Sequence, residues 1–186
     1  MHLVIKNMVC PRCIMSVEEL LNNNGLQAKY IRLGEVELLK KPTKNQLEKF
    51  ATDLKKVGFE LLDDQKTQLI EKVKVLLIRK VQDANIGEHF SVVKYLSDHV
   101  FKDYSTISKL FSEVEGITIE KYFINLKIEK AKELIFYNEM SLGQIALELG
   151  YSSVAHLSAQ FKKITGLTPT HFKKPGQMKR RTLDKI

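Results

Sequence analysis

The sequence predicts an α+β segment followed by an all-α segment. Three observations carry that prediction. Residues 1–64 mix short strand-like apolar runs with two stretches of helical spacing. From residue 65 onward the readable apolar patterns have helical spacing. Within this second segment the same pattern occurs twice, 50 residues apart: Ile107-Ser108-x-x-Phe111-x-x-x-x-Gly116-Ile117-Thr118 returns as Leu157-Ser158-x-x-Phe161-x-x-x-x-Gly166-Leu167-Thr168. Tyr122 and Phe172 extend the same register.

Residues 2–5 (His2-Leu3-Val4-Ile5) read as a strand. After Pro11, the residues Ile14, Val17, Leu20 and Leu21 share one helix face, and Asn22-Asn23-Asn24-Gly25 ends that helix. Residues 28–33 and 35–39 read as strands on either side of Gly34, which makes a hairpin. Pro42-Thr43 opens a second helix. Thr43 and Gln46 have capping-box spacing, and Leu47, Phe50, Ala51, Leu54 and Val57 supply a buried face. Gly58 stops this helix, and residues 59–62 form a last strand. The resulting order, β-α-β-β-α-β, is that of ferredoxin-like domains.

Cys10 and Cys13 are the only cysteines, placed where the first strand turns into the first helix. In a cytoplasmic chain, the location expected here, Cys-x-x-Cys points to metal or redox chemistry before a structural bridge. Thiolates at i and i+3 can converge on one ion, and a helix N-terminus favours their deprotonation. Soft sulfur ligands select Cu(I) or Zn(II) over hard cations. With the element order, the loop Met8-Val9-Cys10-Pro11-Arg12-Cys13 resembles heavy-metal-associated domains, found in copper chaperones and the tails of metal-pumping ATPases. The resemblance covers residues 1–64. It implies that Cys10 and Cys13 bind a soft metal ion, Cu(I) first, with Zn(II) or Ag(I) as alternatives. Phe59 matches an aromatic that some members place beside the site. Two positions depart from the family: Asn7 stands where Gly is usual, and Pro11 lies between the cysteines. Pro11 keeps a thiol-disulfide reading open. Met8 reads as a packing residue.

Asp63-Asp64-Gln65 is the expected boundary, giving domains 1–64 and 65–174 and a basic, mobile tail over 175–186 with Lys179-Arg180-Arg181. Residues 66–82 read as one helix with a broad apolar stripe of Leu69, Ile70, Val73, Leu76, Leu77 and Val81. Short helices at 92–100 and 142–149 precede the two copies of the repeat, and residues 119–137 form a long helix between them. Gly116 and Gly166 stop the repeated helices. Two short helices joined by a tight turn, used twice, make a double helix-turn-helix pattern that reads DNA.

The repeated helices divide into faces. In the first, Ile107, Leu110 and Phe111 point inward, and Ser105, Ser108 and Lys109 point outward with Thr106 at the edge. Lys109 can donate to guanine O6 and N7 in the major groove; the plain alternative is a solvated lysine. In the second, Ser152 is the expected N-cap, and Ala155, His156, Ser158 and Ala159 face outward. Alanines can touch thymine methyls, so His156 alone offers a rich polar contact there. No second Cys or His at helical spacing makes His156 a metal ligand.

The segment Ser141-Leu142-x-x-Ile145-Ala146-x-x-Leu149-Gly150-Tyr151-Ser152, followed by Leu157-Ser158-x-x-Phe161-Lys162-Lys163-x-x-Gly166-Leu167-Thr168-Pro169, resembles the DNA-binding domain of AraC-type transcription regulators. The resemblance covers residues 66–174. It includes Lys127-x-x-x-Ala131-x-x-Leu134, where the family usually has Arg-x-x-x-Ala-x-x-Leu. It implies double-stranded DNA as partner, with RNA polymerase as a further one, and DNA contacts at the outward positions. The candidate set is Tyr104, Ser105, Thr106, Ser108, Lys109, Ser153, Ala155, His156, Ser158 and Ala159.

Charge agrees with a polyanion partner. The net +8 is carried mostly by residues 65–186, with 20 Lys/Arg against 13 Asp/Glu, while residues 1–64 hold 10 against 9. No apolar run approaches the ~20 residues that span a bilayer, and the N-terminus lacks a signal peptide's features, so a cytoplasmic protein is expected. No nucleophile-base pair or phosphate-cradling glycine loop suggests an enzyme. Two cysteines also cannot build the four-thiolate site of the alkyl-transfer domains fused to some AraC-type relatives. The expectation is a transcription regulator that responds to a soft metal ion, with a redox-responsive regulator or a metallochaperone with a basic docking domain as alternatives. Its oligomeric state, the direction of regulation and the operator are not encoded legibly.

Overall fold

The computed structural model describes residues 1–87, 89–173 and 183. The chain divides into two compact units, Met1–Val75 and Leu76–Ile186.

The first unit has the expected element order: β1 (His2–Lys6), α1 (Pro11–Asn23), β2 (Ala28–Arg32), β3 (Glu35–Leu38), α2 (Lys44–Lys56) and β4 (Glu60–Leu62). The four strands form one sheet in the order β2-β3-β1-β4, and each neighbouring pair is antiparallel. In β1 the alternation is strict: Leu3 and Ile5 are buried while His2 is exposed. They join Val36 and Leu38 of β3, Val17 and Leu21 of α1, and Phe50 and Leu54 of α2 in one core. Gly34 turns the β2–β3 hairpin at φ +79°. The capping box at Thr43 and Gln46 forms as its spacing predicts. Two details differ from the expectation. Val57 is the C-cap of α2, one residue past its last helical residue Lys56, and is 49% exposed. Leu39 lies beyond β3 and is exposed.

Helix α3 (Gln65–Gln82) starts one residue before the expected Lys66, with the Asp64 carboxylate accepting from the Thr67 N–H at 2.9 Å. The expected boundary at 64–65 is the start of this helix, whereas the compact units divide within it. The first half of α3 belongs with the sheet: Glu71 Oε1 accepts from the Asn7 N–H at 3.0 Å.

The second unit continues with α4 (Val92–Val100), α5 (Tyr104–Glu115), α6 (Ile119–Tyr137), α7 (Leu142–Glu148), α8 (Val154–Thr165) and α9 (Pro169–Phe172). Helix α6 is its axis: Ile119, Tyr122, Phe123, Leu126, Ile128, Ala131 and Ile135 are all buried along it. It also buries the Lys132–Glu129 ion pair, 2.7 Å apart. The basic tail expected over residues 175–186 lies outside the described residues, Leu183 apart. Among the described residues, no helix is long and apolar enough to cross a membrane.

Candidate functional site

The sequence repeat is a repeat of caps. Asp103 caps α5 by accepting from the Thr106 N–H at 3.3 Å, and Ser153 caps α8 by accepting from the His156 N–H at 3.1 Å. Gly116 and Gly166 end the two helices in the left-handed region, at φ +71° and +78°. Thr118 and Thr168 then cap α6 and α9. Between caps the burial pattern also repeats. Ile107 and Phe111 are fully buried in α5, as are Leu157 and Phe161 in α8. Phe111 packs on Tyr122 with ring centroids 5.4 Å apart, and Phe161 on Phe172 at 5.5 Å. One face of each helix is thus fixed to the core, and the opposite face is presented outward.

On α5, Ser105, Thr106 and Lys109 are exposed and Ser108 is half-buried. Two members of the candidate set are engaged within the protein. The Tyr104 hydroxyl donates to Glu120 on α6, and both burial and that carboxylate push the phenol well above its ordinary range. The Ser105 hydroxyl donates to the capping Asp103. On α8, Ala155, His156 and Ala159 are exposed and Ser158 is half-buried. Ser153, not Ser152, is the N-cap. Ser152 instead places its hydroxyl 3.2 Å from His156 Nδ1.

The turns that set these helices are not alike. In the first module the left-handed residue is Phe101, at φ +52° and 87% exposed, two residues before the N-cap. Such a backbone costs a non-glycine residue about 1–2 kcal/mol. In the second it is Gly150, at φ +66°, three residues before the N-cap. A Cβ on Gly150 would lie 2.8 Å from the Ile86 carbonyl oxygen and 3.1 Å from that of Gly87. The Ile86 N–H also donates to the Glu148 carbonyl at 2.9 Å. The segment after α3 therefore straps the second turn, a contact that periodicity could not reveal.

Beneath that turn lies Lys127 of α6, 9% exposed, with its ammonium 4.0 Å from the Tyr151 ring centroid. Burial pulls its pKa down to about 8. Below pH 8 folded and unfolded chains both hold the proton, and the burial cost is present in full. Between about pH 8 and the unfolded value near 10.4 the folded chain releases its proton first, so stability rises with pH. Lys127→Met is expected to remove that rise, worth about 3 kcal/mol at its upper bound. Urea unfolding of both proteins at pH 8 and pH 10 measures it, and equal slopes would contradict the assignment.

In the first unit, Cys10 is the N-cap of α1 and Pro11 its first residue. The two sulfurs lie 3.3 Å apart, both half-buried. Partial burial raises the Cys10 thiol, but hydrogen bonds from Cys13 and from the Cys13 and Arg12 N–H groups, with the Arg12 charge, outweigh it and bring the pKa below the usual value. Burial pushes Cys13 up. Its thiol lies 4.0 Å from the Asn7 carbonyl. Among the described residues no group of three or more His, Cys, Asp or Glu could hold an ion. Met8 is fully buried in the core, and Phe59 belongs to the same core.

Residues 96–175 match the family described as a helix-turn-helix domain. The chain is 30% identical over 112 residues to a probable transcriptional regulator, LumQ, of Photobacterium leiognathi, covering 60% of this chain and 44% of that protein. It is 26% identical over 102 residues to the bifunctional transcriptional activator/DNA repair enzyme AdaA of Bacillus subtilis, covering 55% and 48%. The chain thus spans less than half the length of these relatives. Among solved structures it is similar in fold to the C-terminal domain of AraT, a response regulator from Geobacillus stearothermophilus. The TM-score is 0.51 at 17% identity, covering 64% of this chain and 92% of that one.

Proposed function

We propose that this chain, whose C-terminal half is an AraC-type helix-turn-helix domain, is a sequence-specific DNA-binding transcription regulator. The supporting observation is the duplicated cap-and-core framework, which holds α5 and α8 by their inner faces and leaves Thr106, Lys109, His156 and Ala159 outward. A helix fixed in this way can enter a major groove. Lys109 is the leading base contact, since His156 is the one long polar group among the outward candidates on α8. Lys109→Ala should weaken specific binding by ~1–3 kcal/mol, concentrated at one base pair, and exceed the effect of His156→Ala. A uniform loss across sequences with a salt slope smaller by ~1 would instead make Lys109 a phosphate contact. Titration of promoter DNA from the protein's own gene measures both, and no binding by the wild type would overturn the reading.

The N-terminal unit, on this reading, is a ferredoxin-like, heavy-metal-associated domain that makes the regulator responsive to a soft metal ion. Cys10 and Cys13 would hold the ion, the lowered Cys10 thiol supplying the first thiolate. A pair of sulfurs with no third His, Cys, Asp or Glu grouped beside it among the described residues suits Cu(I) or Ag(I) better than Zn(II), which takes four ligands in structural sites. The bound ion supplies a soft crosslink between loop and helix; Asn7, hydrogen-bonded to Glu71 of α3 and to Gly58, anchors the loop on which it would act. The 3.3 Å sulfur separation also favours a second reading, a reversible Cys10–Cys13 disulfide. DNA affinity measured with Cu(I) under reducing conditions, and separately after oxidation, distinguishes the two.

A further inference from the structure

We propose that Lys127 is a positioning residue for DNA recognition, acting through Tyr151 to orient His156. The inference rests on the DNA-binding reading above and adds a residue that touches no DNA. Lys127 lies on α6, outside both helix-turn-helix pairs, and is buried to 9% exposure. Its ammonium sits 4.0 Å from the Tyr151 ring centroid and 5.7 Å from that of Phe123. Tyr151 is 4% exposed, and its buried hydroxyl has no hydrogen-bond partner among the described residues. The ring is therefore held by packing and by the cation on its face, not by a hydrogen bond at its tip. The ring also meets the exposed His156 imidazole, perpendicular to it at 87° with centroids 5.2 Å apart. The Ser152 hydroxyl engages Nδ1 of that imidazole at 3.2 Å.

Two restraints thus act on one outward side chain. Tyr151 sets the plane of the imidazole and Ser152 occupies Nδ1, which leaves Nε2 to face the groove. Lys127 supports the first restraint from below. A cation–ring contact is specific to charge and centring, so removing the ammonium loosens Tyr151 without emptying the space, provided the stem is replaced. Lys127→Met does this. It also relieves a buried charge, a change that proteins commonly accept without loss of stability.

The test is a double-mutant cycle on specific DNA binding, with Lys127→Met and His156→Ala alone and combined, at pH 7. Lys127→Met alone should weaken binding about fivefold, a fraction of what a single base contact contributes. In the His156→Ala background it should change affinity by less than about twofold. Lys127→Arg should restore binding, since it keeps the charge over the ring. Equal losses in both backgrounds would assign Lys127 a merely structural role and overturn the proposal, as would no loss in either. Tyr151→Leu reaches the same contact from the other side and should reproduce the pattern if Lys127→Met is poorly folded. A readout without DNA separates this proposal from the DNA-binding reading. The ring-proton resonances of His156 carry the Tyr151 ring current, and Lys127→Met should shift them while Lys127→Arg should not. Wild-type protein that binds no DNA would end the functional reading; unshifted His156 resonances in Lys127→Met would end the Lys127 one.

Discussion

Phe161→Ala is expected to destabilise the second unit by about 3–5 kcal/mol. Phe161 is fully buried and meets the ring of Phe172, which is itself 2% exposed, so truncation leaves a cavity bounded on two helices. Domains of this size are stable by only about 5–15 kcal/mol in total, so the loss removes a large share. Each kcal/mol shifts the midpoint by roughly 4–8 °C in a unit of about 100 residues, so the melting temperature should fall by more than about 10 °C. DNA binding should fall with it, because α8 carries His156 on the face opposite Phe161. Thermal melts of Phe161→Ala beside Lys109→Ala make the check. The exposed Lys109 should leave the midpoint unchanged, and a Phe161→Ala midpoint within a few degrees of wild type would contradict the packing.

The second large effect is the loss of metal response. Cys10→Ser/Cys13→Ser should abolish binding of Cu(I) and any Cu(I)-dependent change in DNA affinity, a coupling expected at about 1–3 kcal/mol. Serine is nearly isosteric but does not ionise near neutral pH, so it removes the donors and spares the packing. Neither cysteine belongs to the fully buried core, and the melting temperature should stay close to that of wild type. Metal content measured under reducing conditions, followed by DNA titration with and without Cu(I), reads the result. Wild type without bound metal, but with DNA affinity altered by a Cys10–Cys13 disulfide, would transfer the role to redox chemistry. If neither treatment altered DNA affinity, the N-terminal unit would not be a sensor of this kind.

What the sequence displayed was whatever is decided within one or two helical turns. The capping box of Thr43 and Gln46, the glycine stops at Gly116 and Gly166, and the inward Ile107, Phe111, Leu157 and Phe161 all follow from local spacing. The outward candidates could be named for the same reason. Ser152 and Ser153 are equal as caps by composition. The choice of Ser153 depends on how the turn at Gly150 runs, and that turn is crowded by Ile86 from far along the chain. Val57 fits the apolar period of α2, but the helix ends at Lys56 and leaves Val57 exposed as its C-cap. Lys127 could be matched to a family position, yet its contact with Tyr151 joins residues 24 apart and exists only in three dimensions. The hydrogen bond from Tyr104 to Glu120 likewise joins two helices and is not legible in local spacing.

The strap at Ile86 and Gly87 bears on how this protein can be taken apart. The helix-turn-helix family match begins at residue 96, downstream of the strap. A fragment trimmed to that edge would keep both α5 and α8. It would discard the backbone that closes over Gly150 and the N–H that satisfies the Glu148 carbonyl. Borders drawn by similarity and borders drawn by folding therefore fall in different places here. A piece that keeps the turn at Gly150 closed has to reach back through the strap, and moving α7 and α8 onto another protein would mean carrying that upstream residue pair along.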